Sequence, residues 1–182
     1  MLRTKDILDE KNPIVRAKNT DLTFPLDDDL KNLINEMLKH LRLSQIEKYA
    51  KKYCLRPGMG LAGPQVGINK NFFVVCHEEK ENVFKNYVII NPEIVSCSEE
   101  LIYSSEGEGC LSVNRDVVGI VPRYARITIK GKDIDGNEII IRAREELSIA
   151  FQHEYDHLKG ILFFDRIDPK NPFKNKEKMR EI

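Results

Sequence analysis

Two histidines and a glutamate stand at a spacing typical of catalytic metal sites. The segment His153-Glu154-Tyr155-Asp156-His157 places two imidazoles four residues apart. On a helix, side chains at this spacing project from one face about one turn from each other, so both can bind a single ion. Glu154 can then reach a water molecule at the ion without binding the metal itself. The segment therefore indicates metal-assisted hydrolysis.

A third ligand must complete such a site, and the chain has only four His and four Cys. Metzincin-type peptidases have a third histidine six residues after the second one, but this chain has Phe163 there. Thermolysin-like enzymes use a glutamate from a later helix, and the roughly 25 residues beyond His157 are too few for that helix. Cys110 lies in the glycine-rich segment 106–112, where the backbone can approach a site closely. Its thiolate would complete a Cys-His-His set with one open position, which is a catalytic pattern. Taken alone, this segment does not decide whether Cys110 is a metal ligand.

A glycine-rich loop offers a second kind of chemistry. Gly58–Gly63, with the sequence GMGLAG, matches the dinucleotide-binding fingerprint letter for letter. That fingerprint requires a preceding strand and a following helix, whereas Pro57 and Pro64 flank this loop. The loop can instead bring Gln65 to the metal, where its amide could donate a hydrogen bond to an oxyanion. Local reasoning equally allows Gln65 to be only a turn residue.

Taken together, three segments resemble the peptide deformylase family. Its marks are a Gly-rich loop ending in Pro-Gln, a Glu-Gly-Cys-Leu-Ser segment and a Gln-His-Glu-x-Asp-His helix. This chain has GMGLAGPQ at Gly58–Gln65, EGCLS at Glu108–Ser112 and QHEYDH at Gln152–His157, in that order. Gly63 departs from the pattern, since the family usually has Ala there. The long first helix, the polar insertion before Tyr87 and the tail resemble the second of the two main bacterial subclasses.

The resemblance implies an activity and a set of site residues. The activity is removal of the formyl group from the N-terminal formyl-methionine of newly synthesised peptides, with release of formate. The usual ion is Fe²⁺, and Zn²⁺, Ni²⁺ or Co²⁺ can substitute. The implied residues are metal ligands Cys110, His153 and His157, the acid/base Glu154, the oxyanion donors Gln65 and Leu111 N–H, and a methionine pocket of Gly58, Met59, Gly60, Ile149 and Ala150. The pocket residues could equally be ordinary core.

Two other functions compete with this hypothesis. A general zinc endopeptidase would use His153, Glu154 and His157 but would cleave internal peptide bonds and not need Cys110. A nucleotide-binding module would use the Gly58 loop and need no metal. Formate release from a formyl-methionyl peptide, with metal content measured on the same sample, distinguishes all three.

The elements that must position these residues follow from the apolar spacing. One long amphipathic helix is predicted from Leu26 to about Tyr53, with Asp27 and Asp28 at its start, and a second over 145–159, ended by Gly160. We expect an extended arm before residue 26, a polar loop over 77–86 and a mobile Lys-rich tail from Pro169. Short strands are predicted at Phe72–Cys76, Tyr87–Ile90, Ile94–Ser96, Leu101–Tyr103, Ala125–Lys130, Glu138–Arg142 and Ile161–Phe164.

These elements predict an α+β fold in one domain, residues 1–182, with antiparallel sheets packed around a central metal-binding helix. Lys plus Arg and Asp plus Glu both total 29, which argues against stable nucleic-acid binding. No apolar run approaches the roughly 18 residues of a membrane span, and no secretion signal is evident. We therefore expect a cytoplasmic protein. The family resemblance implies formyl-methionyl nascent peptides as its partners and allows a transient contact with the ribosome, whereas the sequence assigns no role to the Lys-rich tail.

Overall fold

The computed structural model describes residues 2–182, which contain three α-helices and eight β-strands. The helices are α1 (Asp28–Gln45), α2 (Glu47–Tyr53) and α3 (Glu145–His157). The strands are β1 (Gly60–Ala62), β2 (Phe72–Lys80), β3 (Val83–Cys97), β4 (Leu101–Tyr103), β5 (Arg123–Tyr124), β6 (Arg126–Lys132), β7 (Glu138–Arg144) and β8 (Arg180–Glu181). This mixture confirms the α+β class.

Helix α1 begins where the sequence predicts. The Asp27 carboxylate accepts a hydrogen bond from Leu30 N at 2.7 Å, which satisfies one of the free N–H groups of the first turn. The single helix predicted to Tyr53 is wrong, because the backbone of Ile46 is extended and separates α1 from α2. Nothing in the apolar spacing marks this break.

Five strands form an antiparallel sheet in the order β1-β2-β3-β6-β7. The first half of β2, Phe72–Cys76, is buried on both faces, so its alternate side chains enter two different cores. Phe72 and Val74 pack with the apolar face of α1, whereas Phe73 and Val75 pack with Phe151 of α3. The sheet therefore lies between α1 and α3, and α3 is the central helix that the sequence predicts.

A small second sheet has the order β5-β4-β8. Strands β4 and β8 are parallel, so this one pair departs from the antiparallel arrangement that was predicted. The prediction of a mobile tail from Pro169 is wrong for its last residues, since Arg180 and Glu181 pair with Ile102 and Tyr103. The C-terminal segment is thereby held against the protein.

Two further predictions are wrong. The segment 77–86 is not a loop, because β2 and β3 continue through it as a hairpin that turns at Asn82, with φ +59°. Ile161–Phe164 is not a strand, since Phe163–Arg166 forms a turn of 3-10 helix. Gly160 follows α3 with φ +70°, as a residue that ends a helix should. No helix among residues 2–182 has the length and apolarity needed to cross a bilayer.

Candidate active site

Helix α3 presents both histidines from one buried face. The ring centroids of His153 and His157 are 5.1 Å apart. The helix is fixed to β5 by two of its polar side chains: Ser148 Oγ donates to Tyr124 O at 2.8 Å, and the Gln152 amide both donates to Tyr124 O and accepts from Tyr124 N. The histidines thus belong to a rigid helix held between two sheets.

Cys110 completes the cluster from a different part of the chain. Its Sγ lies 3.2 Å from His157 Nε2, and one ligand atom from each of Cys110, His153 and His157 falls within 4.8 Å of the others. All three residues are buried. Ligands about 2.0–2.3 Å from a shared ion lie about 3.5 Å from one another, so the three side chains fit one metal ion.

The protonation of the two imidazoles also bears on metal binding. Burial lowers the pKa of His157 well below its usual value, so its ring is neutral and able to bind a metal. Burial acts in the same direction on His153, but hydrogen bonds to Cys110 and Glu108 outweigh it and raise the pKa of His153. The nitrogens that bind an ion must be unprotonated, so metal binding at this cluster depends on pH.

Glu154 lies next to the cluster with one carboxylate oxygen unused. The residue is 3% exposed, and its Oε2 has no hydrogen-bond partner among residues 2–182. Burial raises the pKa of Glu154 to about 7. Gly60 of β1 passes close to this side chain, since a Cβ built on Gly60 would lie 2.6 Å from Glu154 Cδ. The glycine provides the space that the carboxylate occupies.

Gln65 is brought to the same place by the turn that follows β1. Its Oε1 accepts from Ala62 N at 2.8 Å, which orients the amide so that Nε2 lies 3.1 Å from Ser112 Oγ and 3.6 Å from Cys110 Sγ. Gln65 is therefore a residue of the site and not only of the turn. Leu111 follows Cys110, and its backbone N–H has no acceptor among residues 2–182.

Gly63, the one departure from the family pattern, has a packing reason. A Cβ there would lie 2.7 Å from the Phe72 ring, 2.8 Å from Ile68 O and 2.9 Å from Lys70 O. The glycine lets the turn pack tightly on β2, so the departure is compatible with a well-fixed loop.

These residues share one cleft of about 860 Å³. Cys110, His153, Glu154, Gln65 and Leu111 line it, whereas His157 lies fully buried behind them. All five predicted pocket residues line the same cleft: Gly58, Met59, Gly60, Ile149 and Ala150. Met59 and Ala150 also pack on the core beneath the cleft. These side chains can therefore be part of the core and line the predicted methionine pocket at the same time. The glycine loop leads into a strand and a short 3-10 turn, not the helix that a dinucleotide fingerprint requires.

Comparison with known proteins agrees with this geometry. The model of the family described as Polypeptide deformylase matches residues 4–173. The chain belongs to the peptide deformylase family. It is 43% identical to Peptide deformylase 2 of Bacillus anthracis over 173 residues, which cover 95% of this chain and 94% of that protein. It is 46% identical to a peptide deformylase of Shouchella clausii over 175 residues, 96% of each. The fold is similar to that of peptide deformylase from Thermotoga maritima, with TM-score 0.71, 31% identity and coverage of 90% of this chain and 97% of that one.

The predicted resemblance, including the second subclass, is confirmed. This deformylase is a metal-dependent hydrolase that removes the N-formyl group from nascent peptides. Its Cys-His-His cluster supplies a place for the metal.

A buried charge network that the sequence motifs do not indicate lies behind the deformylase site. Glu108 Oε2 lies 2.9 Å from His153 Nδ1 and so directs the other ring nitrogen toward the cluster. Arg123, whose side chain is 1% exposed, donates to Glu108 at 2.7 and 2.8 Å and to Asp156 at 2.6 Å. Burial alone would raise the pKa of Glu108, but the charge of Arg123 outweighs it and lowers this pKa to about 2.

A local signal existed for only part of this network. Glu108 lies two residues before Cys110 in the glycine-rich segment 106–112. Its position beside a predicted ligand is a signal that its carboxylate could accept a hydrogen bond from a ligand histidine. Arg123 lies in a two-residue strand outside every motif, and its partners come from distant segments. Charge alone gave no reason to expect it inside the protein.

Proposed function

We propose that Cys110, His153 and His157 hold Fe²⁺ in this deformylase, with Zn²⁺, Ni²⁺ or Co²⁺ able to substitute. The observation that carries the assignment is the convergence of three buried ligand atoms beside a buried carboxylate with an unused oxygen. A thiolate and two imidazoles suit all four ions, so the donor set supports the group and the family resemblance supports iron. The substrate is the N-formyl-methionine end of a new peptide, and the products are formate and a free amine.

Glu154 moves the proton in this mechanism. When bound, the metal polarises the formyl carbonyl and lowers the pKa of a water molecule. Glu154 takes the proton that this water loses as the water oxygen bonds to the formyl carbon, and it returns the proton to the leaving nitrogen as the C–N bond breaks. Glu154 can accept this proton because its buried carboxylate has one oxygen without a hydrogen-bond partner among residues 2–182.

Gln65 and Leu111 stabilise the oxygen that becomes negatively charged. The Gln65 amide is held by Ala62 N with its NH₂ group directed at the cluster, and the Leu111 N–H adjoins the ligand Cys110. Both donors are in place before the reaction, so they need no reorganisation. Removal of one such donor typically lowers the rate by about 10²–10³-fold.

The methionine side chain of the substrate occupies the apolar part of the cleft. Met59, Ile149 and Ala150 line it, and two of them rest on the core cluster that includes Phe151. Ile149 and Ala150 lie one helical turn before His153 and Glu154, so a side chain bound there adjoins the reacting group. An unbranched thioether fits such a surface because it is flexible and apolar.

Three wider proposals accompany this site. The chain acts as one catalytic domain over residues 1–182, with the site formed by segments from both halves. Because its substrates are nascent peptides, the cytoplasm is the expected compartment. Contact with the ribosome is transient and involves the exposed lysines of the C-terminal region, among them Lys170, Lys174 and Lys178. Salt-dependent co-sedimentation with ribosomes tests the last proposal, and sedimentation that is absent at low salt contradicts it.

One experiment tests the assigned roles. Protein purified without oxygen is assayed for formate release from a formyl-methionyl tripeptide, with metal content measured on the same sample. Glu154→Ala should retain the metal and lose turnover, since the ligands are intact but the proton carrier is gone. Cys110→Ala should lose the metal. An active Glu154→Ala enzyme, or full metal occupancy in Cys110→Ala, contradicts the corresponding role.

Assays of the same sample also test the alternative function, a general zinc endopeptidase. Cleavage of internal bonds in an unformylated peptide, with no formate from the formylated one, would support a general metallopeptidase instead. Retention of that cleavage in Cys110→Ala would support it further, because only the deformylase assignment requires the thiolate.

A further inference from the structure

The C-terminal segment forms one wall of the substrate cleft. Ile182 lines the cleft together with Ser104 and Ser105, which follow β4. The pairing of β8 with β4 extends to these residues, since Ile182 N donates to Tyr103 O at 3.0 Å and Ser105 N donates to Ile182 O at 2.9 Å. Ile182 is therefore fixed by its backbone on both sides at a half-buried position in the wall.

Ion pairs hold this segment to the helix that carries the catalytic residues. Arg180 donates to both carboxylate oxygens of Glu145 at 2.9 and 2.7 Å and to Glu100 at 2.7 Å. Glu145 is the first residue of α3 and also lines the cleft. Its φ of +54° is unusual for a residue with a side chain, so the pair with Arg180 also supports a constrained turn. Glu181 adds a hydrogen bond from Tyr103.

The position of this anchor along the cleft can be compared with the length of a substrate. Glu145 lies eight residues before His153 on α3, which corresponds to about 12 Å along the helix axis. An extended peptide advances about 3.3–3.6 Å per residue, so 12 Å corresponds to three or four residues. If the formyl group is at His153 and Glu154 and the peptide extends along α3 past Ile149 and Ala150 toward Glu145, the tail lies beside substrate residues beyond the methionine.

We propose that Ile182 is a specificity-determining residue, which favours an apolar side chain at the third position of a formyl-methionyl peptide. Arg180 is a positioning residue that holds Ile182 in the wall through Glu145 and Glu100. The inference rests on the proposed function, because it takes the cleft to be where the formylated peptide binds. It adds a contact that neither the metal cluster nor the methionine pocket provides.

The test compares two tripeptides that differ only at this position, formyl-Met-Ala-Leu and formyl-Met-Ala-Ser. The intact protein should prefer the leucine peptide in kcat/KM. Ile182→Ala should lower this preference about fivefold through KM, with kcat for the leucine peptide changed much less, because a contact with a partly exposed apolar wall affects binding and not the chemical step. Arg180→Ala should lower the preference similarly. Ile140→Ala is the matched control, since Ile140 is 74% exposed on β7 and does not line the cleft.

Each outcome has a distinct meaning. An unchanged preference in Ile182→Ala overturns the proposal, and so does a wild-type enzyme without preference at this position. Ala150→Phe separates this failure from failure of the proposed site. If that variant raises KM for both peptides while Ile182→Ala leaves the preference intact, the cleft binds the peptide but Ile182 does not determine the preference. If Ala150→Phe also has no effect, the cleft itself is not the peptide site.

Discussion

Replacement of Gly60 by alanine should inactivate this deformylase through a single methyl group. The backbone of Gly60 has an ordinary φ, so alanine can adopt it without strain. The added Cβ would lie 2.6 Å from Glu154 Cδ and 2.7 Å from Glu154 Cγ, and nearer still to Oε1. The perturbation therefore falls first on the proposed proton carrier, since the three nearest atoms all belong to Glu154.

The size of the effect follows from these distances. Ordinary contacts of a Cβ with another heavy atom are 3.4–4 Å, so the Glu154 carboxylate must move by about 1 Å. A displacement of about 1 Å at a reacting group can lower the rate about 10²-fold, and complete loss of general acid–base catalysis costs about 10²–10⁴-fold. We expect kcat of Gly60→Ala to fall by about two orders of magnitude, with metal content unchanged.

The assay is formate release from a formyl-methionyl tripeptide, with metal measured on each variant. A double-mutant comparison isolates the contact: once Glu154→Ala has removed the carboxylate, Gly60→Ala should cost little more. An equal loss with and without the Glu154 carboxylate, or a normal rate in Gly60→Ala, would refute the reasoning.

Four other predictions concern stability, its pH dependence, thiol reactivity and substrate binding. Arg123→Met should lower the free energy of unfolding by about 3–5 kcal/mol, measured in urea, because it leaves the Glu108 and Asp156 carboxylates buried with less compensation; a loss below about 1 kcal/mol contradicts this. In the metal-free protein the pKa of Glu108 is lowered from 4.5 to about 2, so its ionised carboxylate stabilises the fold fully above about pH 4.5 and loses this effect as the pH falls toward 2. The free energy of unfolding should therefore decline more steeply between these pH values than it does in Glu108→Gln. Burial raises the pKa of Cys76 to about 11, so a thiol reagent at pH 8 should label Cys76 only after unfolding, as peptide mapping can check. Ala150→Phe should raise KM for formyl-methionyl peptides about tenfold or more by filling the methionine pocket, and an unchanged KM counts against that pocket.

Local patterns predicted the parts of the fold in which one segment determines its own structure. Asp27 caps α1 because its carboxylate needs only the N–H three residues ahead, and Gly160 ends α3 because a left-handed conformation suits glycine. The motifs succeeded for a related reason. The spacing of His153 and His157 fixes their geometry as soon as the segment is helical.

The sequence-based predictions are wrong where a contact with a distant residue, or the backbone conformation, determines the local structure. The hairpin through 77–86 has polar side chains that extend into solvent, so no apolar alternation marks it; its sequence signal is Asn82, a residue that tolerates the positive φ of a tight turn. The tail is ordered by Arg180, whose partner Glu100 is 80 positions away. The burial of Arg123 likewise depends on carboxylates 15 and 33 positions away.

The metal cluster also joins segments that are far apart in the chain. Cys110 and His157 are 47 positions apart, yet their ligand atoms lie 3.2 Å from each other. An ion held by both residues is therefore a reversible cross-link between distant segments of the folded chain. Because the unfolded chain has no preformed site, the free energy of metal binding adds to the stability of the folded state. Loading of the metal should thus raise the free energy of unfolding as well as enable activity.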